Sequence, residues 1–167
     1  MLKRTLWRAG AFVAPLLLSL GLVAAPPASA AEPGIDIPLT VATPDYACGE
    51  DWWEPLGRYY LKWQCDGNLV LYSSQDGSAR WASGTYGWPN ITNPTTKLNF
   101  SRYGYMSIRD HNGSIVCAWG GPESAGGYVR LQSDGNLVVY ASNGNAVWAS
   151  GTYGWRQGSV HACGTGM

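Results

Sequence analysis

From about residue 57 onward, apolar side chains fall on alternate positions in short runs, and each run stops at a turn signal. Leu61 and Trp63 alternate with Lys62 and Gln64; beyond Asp66-Gly67, Leu69 and Leu71 alternate with Val70 and Tyr72. Val129 and Leu131 alternate with Arg130 and Gln132; beyond Asp134-Gly135, Leu137 and Val139 alternate with Val138 and Tyr140. A period of two in runs rich in β-branched and aromatic residues, broken by Asp-Gly or Asn-Gly, predicts half-buried strands joined by tight turns. No run carries the period of an amphipathic helix, so the chain reads as all-β.

Parity decides how each pair of runs folds back. A two-residue Asp-Gly hairpin would set Gln64 opposite Leu69 and mix the two faces, because a one-residue slip turns every side chain over. An odd loop of three or five residues around Asp66-Gly67 keeps the apolar set on one side, with Gly at positive φ. The fold-back also gathers Gln64, Asp66, Asn68, Val70 and Tyr72. On one straight strand, Gln64 and Tyr72 would lie about 26 Å apart, too far for one small ligand.

The pattern is written more than once. "WASGTYGW" occurs unchanged at 81–88 and 148–155, preceded by "QCDGNLVLY" at 64–72 and "QSDGNLVVY" at 132–140. The interval between copies is about twice one unit. Setting "NGSIVCAWG" (112–120) under "NGNAVWASG" (143–151) places Phe100–Arg109 under Leu131–Tyr140 and Gly104 under Gly135. Three units follow, about 57–88, 95–121 and 125–156, after an N-terminal lead of which 31–47 precedes the domain and the rest, from Cys48, belongs to it. Trp81 and Trp148 hold the same place in their units, where buried indoles near a pseudo-threefold axis would close three small sheets on one core. The middle unit has Cys117 there, and Trp119 is expected to supply the missing volume.

Composition sharpens this reading. Eleven basic residues balance eleven acidic ones, so no positive field points to nucleic acid, and two His and four Cys without metal-ligand spacing leave no basis for a metal or other cofactor. Lys3, Arg4 and Arg8, the apolar run Ala11–Ala25 and Ala28-Ser29-Ala30 read as a signal peptide over 1–30, cut before Ala31, too short in its apolar run for membrane insertion. Without those residues, 8 basic groups stand against 11 acidic ones. In a secreted protein, Cys48, Cys65, Cys117 and Cys163 are disulfide candidates; three pairings are open, of which Cys48 with Cys65 and Cys117 with Cys163 is the local one. A nucleophilic Cys beside His111 or His161 has no supporting motif. Asn90, Asn99 and Asn112 head glycosylation sequons.

The spacing Q-x-D-x-N-x-V-x-Y is filled by Gln64, Asp66, Asn68, Val70, Tyr72 and again by Gln132, Asp134, Asn136, Val138, Tyr140. Over about 57–156 the chain resembles the bulb-type, or monocot, mannose-binding lectin domain, here assigned to 48–167. The resemblance implies a β-prism of type II, three four-stranded antiparallel sheets about a pseudo-threefold axis. It also implies a non-catalytic protein whose Gln, Asp, Asn and Tyr hydrogen-bond mannose hydroxyls while the Val meets the ring carbons. A carboxylate accepts, a carboxamide does both and a phenol does either, a set suited to vicinal hydroxyls in one orientation. In the middle unit the corresponding positions are Ser101, Tyr103, Tyr105, Ser107 and Arg109, none matching, while the inward set Leu98, Phe100, Met106 and Ile108 is intact. Two mannose sites are therefore expected, and the middle one degenerate, with Tyr103, Tyr105 and Arg109 read as ordinary exposed residues of a sheet face or, alternatively, as a cluster for another ligand. Each site alone is expected to be weak, with avidity from two sites or a homo-oligomer. A lectin-like bacteriocin and a fold-only domain with an altered ligand are the other readings. A glycosidase needs two facing carboxylates, and Asp66 and Asp134 sit in separate units. In the lead, Trp52 and Trp53 read as an edge strand tied down by Cys48, or as one more binding surface.

Overall fold

The structure is a computed structural model that describes residues 33–39, 45–88, 91, 96–155 and 163. The signal-peptide reading at 1–30, His161 and the sequon at Asn90 lie outside the described residues. Eleven strands run in order along the chain: β1 (Gly34–Pro38), β2 (Asp51–Trp53), β3 (Tyr59–Trp63), β4 (Leu69–Ser73), β5 (Ala79–Ala82), β6 (Lys97–Ser101), β7 (Tyr105–Arg109), β8 (Ile115–Gly120), β9 (Tyr128–Gln132), β10 (Leu137–Tyr140) and β11 (Ala146–Ala149). Among the described residues there is no α-helix, and none that could cross a membrane.

The strands form three antiparallel sheets, β2-β3-β4-β5, β6-β7-β8 and β1-β9-β10-β11, one for each unit. Two sheets have the expected four strands. In the middle one the fourth place is held among the described residues by a single bridge, Tyr46 with Leu98, whose two backbone bonds measure 2.8 and 3.1 Å. The lead is thus shared out. Gly34–Pro38 edges the third sheet, Tyr46 touches the middle one and Asp51–Trp53 edges the first. No local pattern in the lead specifies this, because an edge strand takes its place from the partner whose unpaired N–H and C=O groups it satisfies.

The alternation places the core as expected. Leu61, Trp63, Leu69 and Leu71 from the first unit, Leu98, Phe100, Met106 and Ile108 from the middle, and Val129, Leu131, Leu137 and Val139 from the third are all buried to 1% exposure or less. Where the three sheets meet, Trp81, Trp119 and Trp148 pack on one another with ring centroids 5.3, 5.6 and 6.0 Å apart. Cys117 stands opposite Ile108, the register place that Trp81 and Trp148 hold opposite Leu71 and Val139. Trp119, one layer along and opposite Met106, fills the third corner. A second aromatic group, Tyr46, Trp52 and Phe100, joins the first sheet's edge to the middle sheet through edge-on contacts of 5.1 to 5.7 Å.

Two disulfides, Cys48–Cys65 and Cys117–Cys163, adopt the local pairing and leave no free thiol. The first pins the lead to the turn between β3 and β4.

Candidate functional site

The β3–β4 turn is built from its backbone outward. Trp63 pairs with Leu69, so residues 64–68 form the odd loop that parity requires. Gln64 N–H donates to Asn68 O at 2.9 Å and Gly67 N–H to Gln64 O at 3.1 Å, with Gly67 at φ +86°. Asp66 Oδ1 accepts the Asn68 N–H at 2.9 Å, an Asx turn that commits one carboxylate oxygen to the loop. The β9–β10 turn repeats this bond for bond. Gln132 N–H reaches Asn136 O at 2.8 Å, Asp134 Oδ1 accepts the Asn136 N–H at 2.9 Å, and Gly135 has φ +88°.

On each loop the side chains of the motif meet. Gln64 Nε2 donates to the Tyr72 hydroxyl at 2.9 Å, and Gln132 Nε2 to the Tyr140 hydroxyl at 3.1 Å. Asn68 Oδ1 accepts from Ser83 Oγ at 2.9 Å; Asn136 Oδ1 accepts from Ser150 Oγ and from the Gly151 N–H, both at 3.1 Å. The asparagine carbonyl is thereby held by the protein, and its amide hydrogens point their donor capacity elsewhere. Together with Asp66 Oδ2 and the Tyr72 O–H, they make up a mixed set of donors and an acceptor on one loop.

Ser83 and Thr85, with Ser150 and Thr152, are the supporting residues that the sequence reading did not assign. Ser83 Oγ also accepts the Leu69 N–H at 3.0 Å and meets Thr85 Oγ1 at 2.6 Å, and Thr85 Oγ1 donates to Gly67 O at 2.5 Å. Ser150 and Thr152 do the same for Leu137 N–H and Gly135 O. All four hydroxyl residues are buried. The repeat of "WASGT" was the signal: it recurs because it buttresses the turn that precedes it.

The two sets differ in access. Gln64, Asp66, Asn68 and Tyr72 are half-buried, whereas Gln132, Asn136 and Tyr140 are 1%, 3% and 0% exposed, with Asp134 half-buried. Val70 and Val138 are both buried. Burial pushes the Tyr140 hydroxyl up to about 12, and the neighbouring Tyr128 adds to the shift. On the same face Arg130 forms a two-pronged pair with Asp36 at 2.5 and 2.7 Å, and its guanidinium lies 5.1 Å over the Tyr128 ring, which stacks on Tyr140 at 5.0 Å. The hydrogen bond to Asp36 raises the Arg130 pKa above its usual value.

The middle loop keeps the turn and not the chemistry. Ser101 pairs with Tyr105 around Gly104, at φ +92°, while Tyr103 is 60% exposed and its hydroxyl accepts from Arg102 Nη2 at 2.9 Å. Tyr105 is half-buried, Ser107 is fully buried and Arg109 Nη1 donates to Gly113 O at 3.1 Å. These positions converge on no common point that the bonds define. Of the described sequons, Asn112 is exposed on a turn, whereas Asn99 is buried and its Nδ2 donates to Asp45 Oδ1 at 2.8 Å.

Glu54, buried at 2% exposure, links the first unit to the third-unit loop. Its carboxylate accepts the Leu56, Arg58 and Tyr59 N–H groups at 2.8, 2.5 and 3.3 Å and the Ser133 hydroxyl at 2.8 Å. Burial would raise this carboxyl, but the four hydrogen bonds together hold it below its ordinary value. Arg58 Nη2 donates to Ser133 O alongside.

No protein-family model and no curated protein matches the chain. Among solved structures it is similar to a monomeric monocot mannose-binding lectin from Gastrodia elata, with 31% identity, a TM-score of 0.54, and coverage of 71% of this chain and 97% of that one. A lectin of Marasmius oreades shares the fold at 23% identity and a TM-score of 0.53, over 70% of this chain and 90% of its own. With the prism of three sheets in place and 31% identity running through nearly the whole of the Gastrodia protein, the chain belongs to the monocot mannose-binding lectin family.

Proposed function

We propose that this chain is a secreted, non-catalytic lectin that binds mannose or mannose-bearing glycans, and that the Gln64, Asp66, Asn68, Val70, Tyr72 set is its working site. The observation that carries this reading is the β3–β4 loop, on which a carboxylate, a carboxamide and a phenol converge with their remaining hydrogen-bonding capacity at a half-buried surface. Such a set rewards one arrangement of hydroxyls, because an epimer leaves a polar group without its partner. The Gln132, Asp134, Asn136, Val138, Tyr140 set has the same internal bonds and is the second site. Its buried amide and phenol admit a sugar only when uncovered, so it contributes less.

Retention on a mannose column tests the assignment. Asn68→Ala is expected to abolish most retention with elution by free mannose lost, and Asn136→Ala to reduce it slightly. Full retention of the double variant would overturn the reading. The mature protein is expected to begin at Ala31 by N-terminal sequencing.

A further inference from the structure

The first sheet carries an aromatic row on its outer face that no part of the motif explains. Register sets Trp53 beside Tyr60 and Tyr60 beside Tyr72, across β2, β3 and β4. The rings stack accordingly, Trp53 on Tyr60 at 4.4 Å and Tyr60 on Tyr72 at 5.3 Å, both tilted by 21°. The intervening residues Trp52, Leu61 and Leu71 pack inward on the core, so the row lies wholly on the side that bears the Gln64 set. At one end the Tyr72 hydroxyl accepts from Gln64 inside that set; at the other, Trp53 is 45% exposed on the sheet edge.

Among the described residues the other two sheets lack this feature. The third has Tyr128 stacked on Tyr140, but Pro38 stands where Trp53 would be, and the middle has Lys97 paired with Arg109 in place of the two tyrosines. Among the described residues the full row thus occurs only beside the accessible set. A large exposed indole on an edge strand contributes little to folding and invites pairing with other chains, for which edges are ordinarily charged. Its placement at the end of a stacked row continuous with a polar site is the arrangement of a ligand surface, apolar with a few polar groups to orient.

We propose that Trp53, presented by Tyr60, is an extension subsite that packs against a pyranose two places beyond the terminal residue held by the Gln64 set of one mannose-bearing glycan; this rests on the mannose reading above. The C–H face of a pyranose is apolar with slight positive charge at its hydrogens, and it meets the negative face of an indole favourably. Trp53 lies two ring spacings, 4.4 and 5.3 Å, beyond Tyr72, so the sugar that it meets is not the immediate neighbour of the terminal one. Asp51 and Lys62, paired with each other one register step along on the same face, flank the row with an acceptor and a donor for hydroxyls.

Calorimetric titration of wild type, Trp53→Ala and Trp53→Tyr with methyl α-mannoside, mannobiose and mannotriose tests this. In wild type mannotriose should bind about three- to tenfold more tightly than methyl α-mannoside, with mannobiose gaining less, as one added stacking contact implies. Trp53→Ala should keep monosaccharide affinity and lose that gain; Trp53→Tyr should restore most of it. A gain that persists in Trp53→Ala, or no gain in wild type, overturns the subsite and leaves the mannose site standing. Failure of wild type to bind methyl α-mannoside overturns the mannose reading itself. Acrylamide quenching of wild type is a check free of variants: mannotriose should shield an indole that methyl α-mannoside leaves open, and equal shielding by both would overturn the subsite.

Discussion

Ser83 Oγ sits at a junction of three groups: it accepts the Leu69 N–H, donates toward Asn68 Oδ1 and meets Thr85 Oγ1. Replacing it by Ala leaves the buried Leu69 N–H without its acceptor and frees the Asn68 carboxamide. We expect Ser83→Ala to cost about 1–3 kcal/mol of stability by urea unfolding and to weaken mannoside binding severalfold. An unchanged midpoint with unchanged affinity would remove Ser83 from the support of the site. At this scale the motif residues themselves were legible, since two copies at identical spacing single out Gln, Asp, Asn and Tyr from mere turn formers. Their supports were visible as a repeated string without a role. The contact from Ser83 to Asn68 spans 15 residues and exists only once β5 has docked on β4.

Among the elements, one turn is used three times, with Gly67, Gly104 and Gly135 at φ of +86°, +92° and +88°. Parity of the flanking strands predicted an odd loop with a glycine at positive φ, and register confirms it in each unit. What surrounds each glycine was not legible. A Cβ on Gly135 would lie 2.6 Å from the Tyr59 ring of another sheet, whereas one on Gly113, at φ +82°, would meet nothing within 4 Å. Gly113→Ala is therefore expected to cost only the left-handed backbone term, about 1–2 kcal/mol, and Gly135→Ala clearly more, by thermal or urea unfolding. Equal costs would show that the Tyr59 contact yields without penalty. A bulge also recurs at one place in every unit, at Leu71/Tyr72, Ile108/Arg109 and Val139/Tyr140. It leaves Arg80, Val116 and Val147 unmatched across their strand pairs, and an arginine and two valines are ordinary strand residues that do not mark a bulge in advance.

For the molecule as a whole, Glu54 ties the first unit to the third-unit loop, and its ionisation makes that tie dependent on pH. Its folded carboxyl lies below its ordinary value, so the unfolded chain takes up a proton first as pH falls. The stabilisation is complete above the unfolded carboxyl's value, about 4.3, and is lost as pH drops through the folded one. Glu54→Gln should lower stability at neutral pH by about 1–3 kcal/mol and flatten the acid limb of the stability curve. Urea unfolding from pH 7 to pH 3 measures both effects, and an acid limb equally steep in the two proteins would remove Glu54 as its source.

Alternation and repetition along the chain were enough to specify the strands, the inward face, the odd turns, three related units and the motif residues, because each is a local consequence of side-chain period and turn chemistry. The sequence also named three candidates for the central aromatic cluster, Trp119 among them, since volume lost at Cys117 must be regained nearby. Tertiary structure alone decided which sheet each stretch of the lead would edge and which of three cysteine pairings formed. It also decided that one copy of a duplicated motif is half-open and the other buried, and that Trp53 ends a row of stacked rings beside the open copy. Those outcomes depend on partners brought together across tens of residues, and a contact between distant segments leaves no periodic trace in either one.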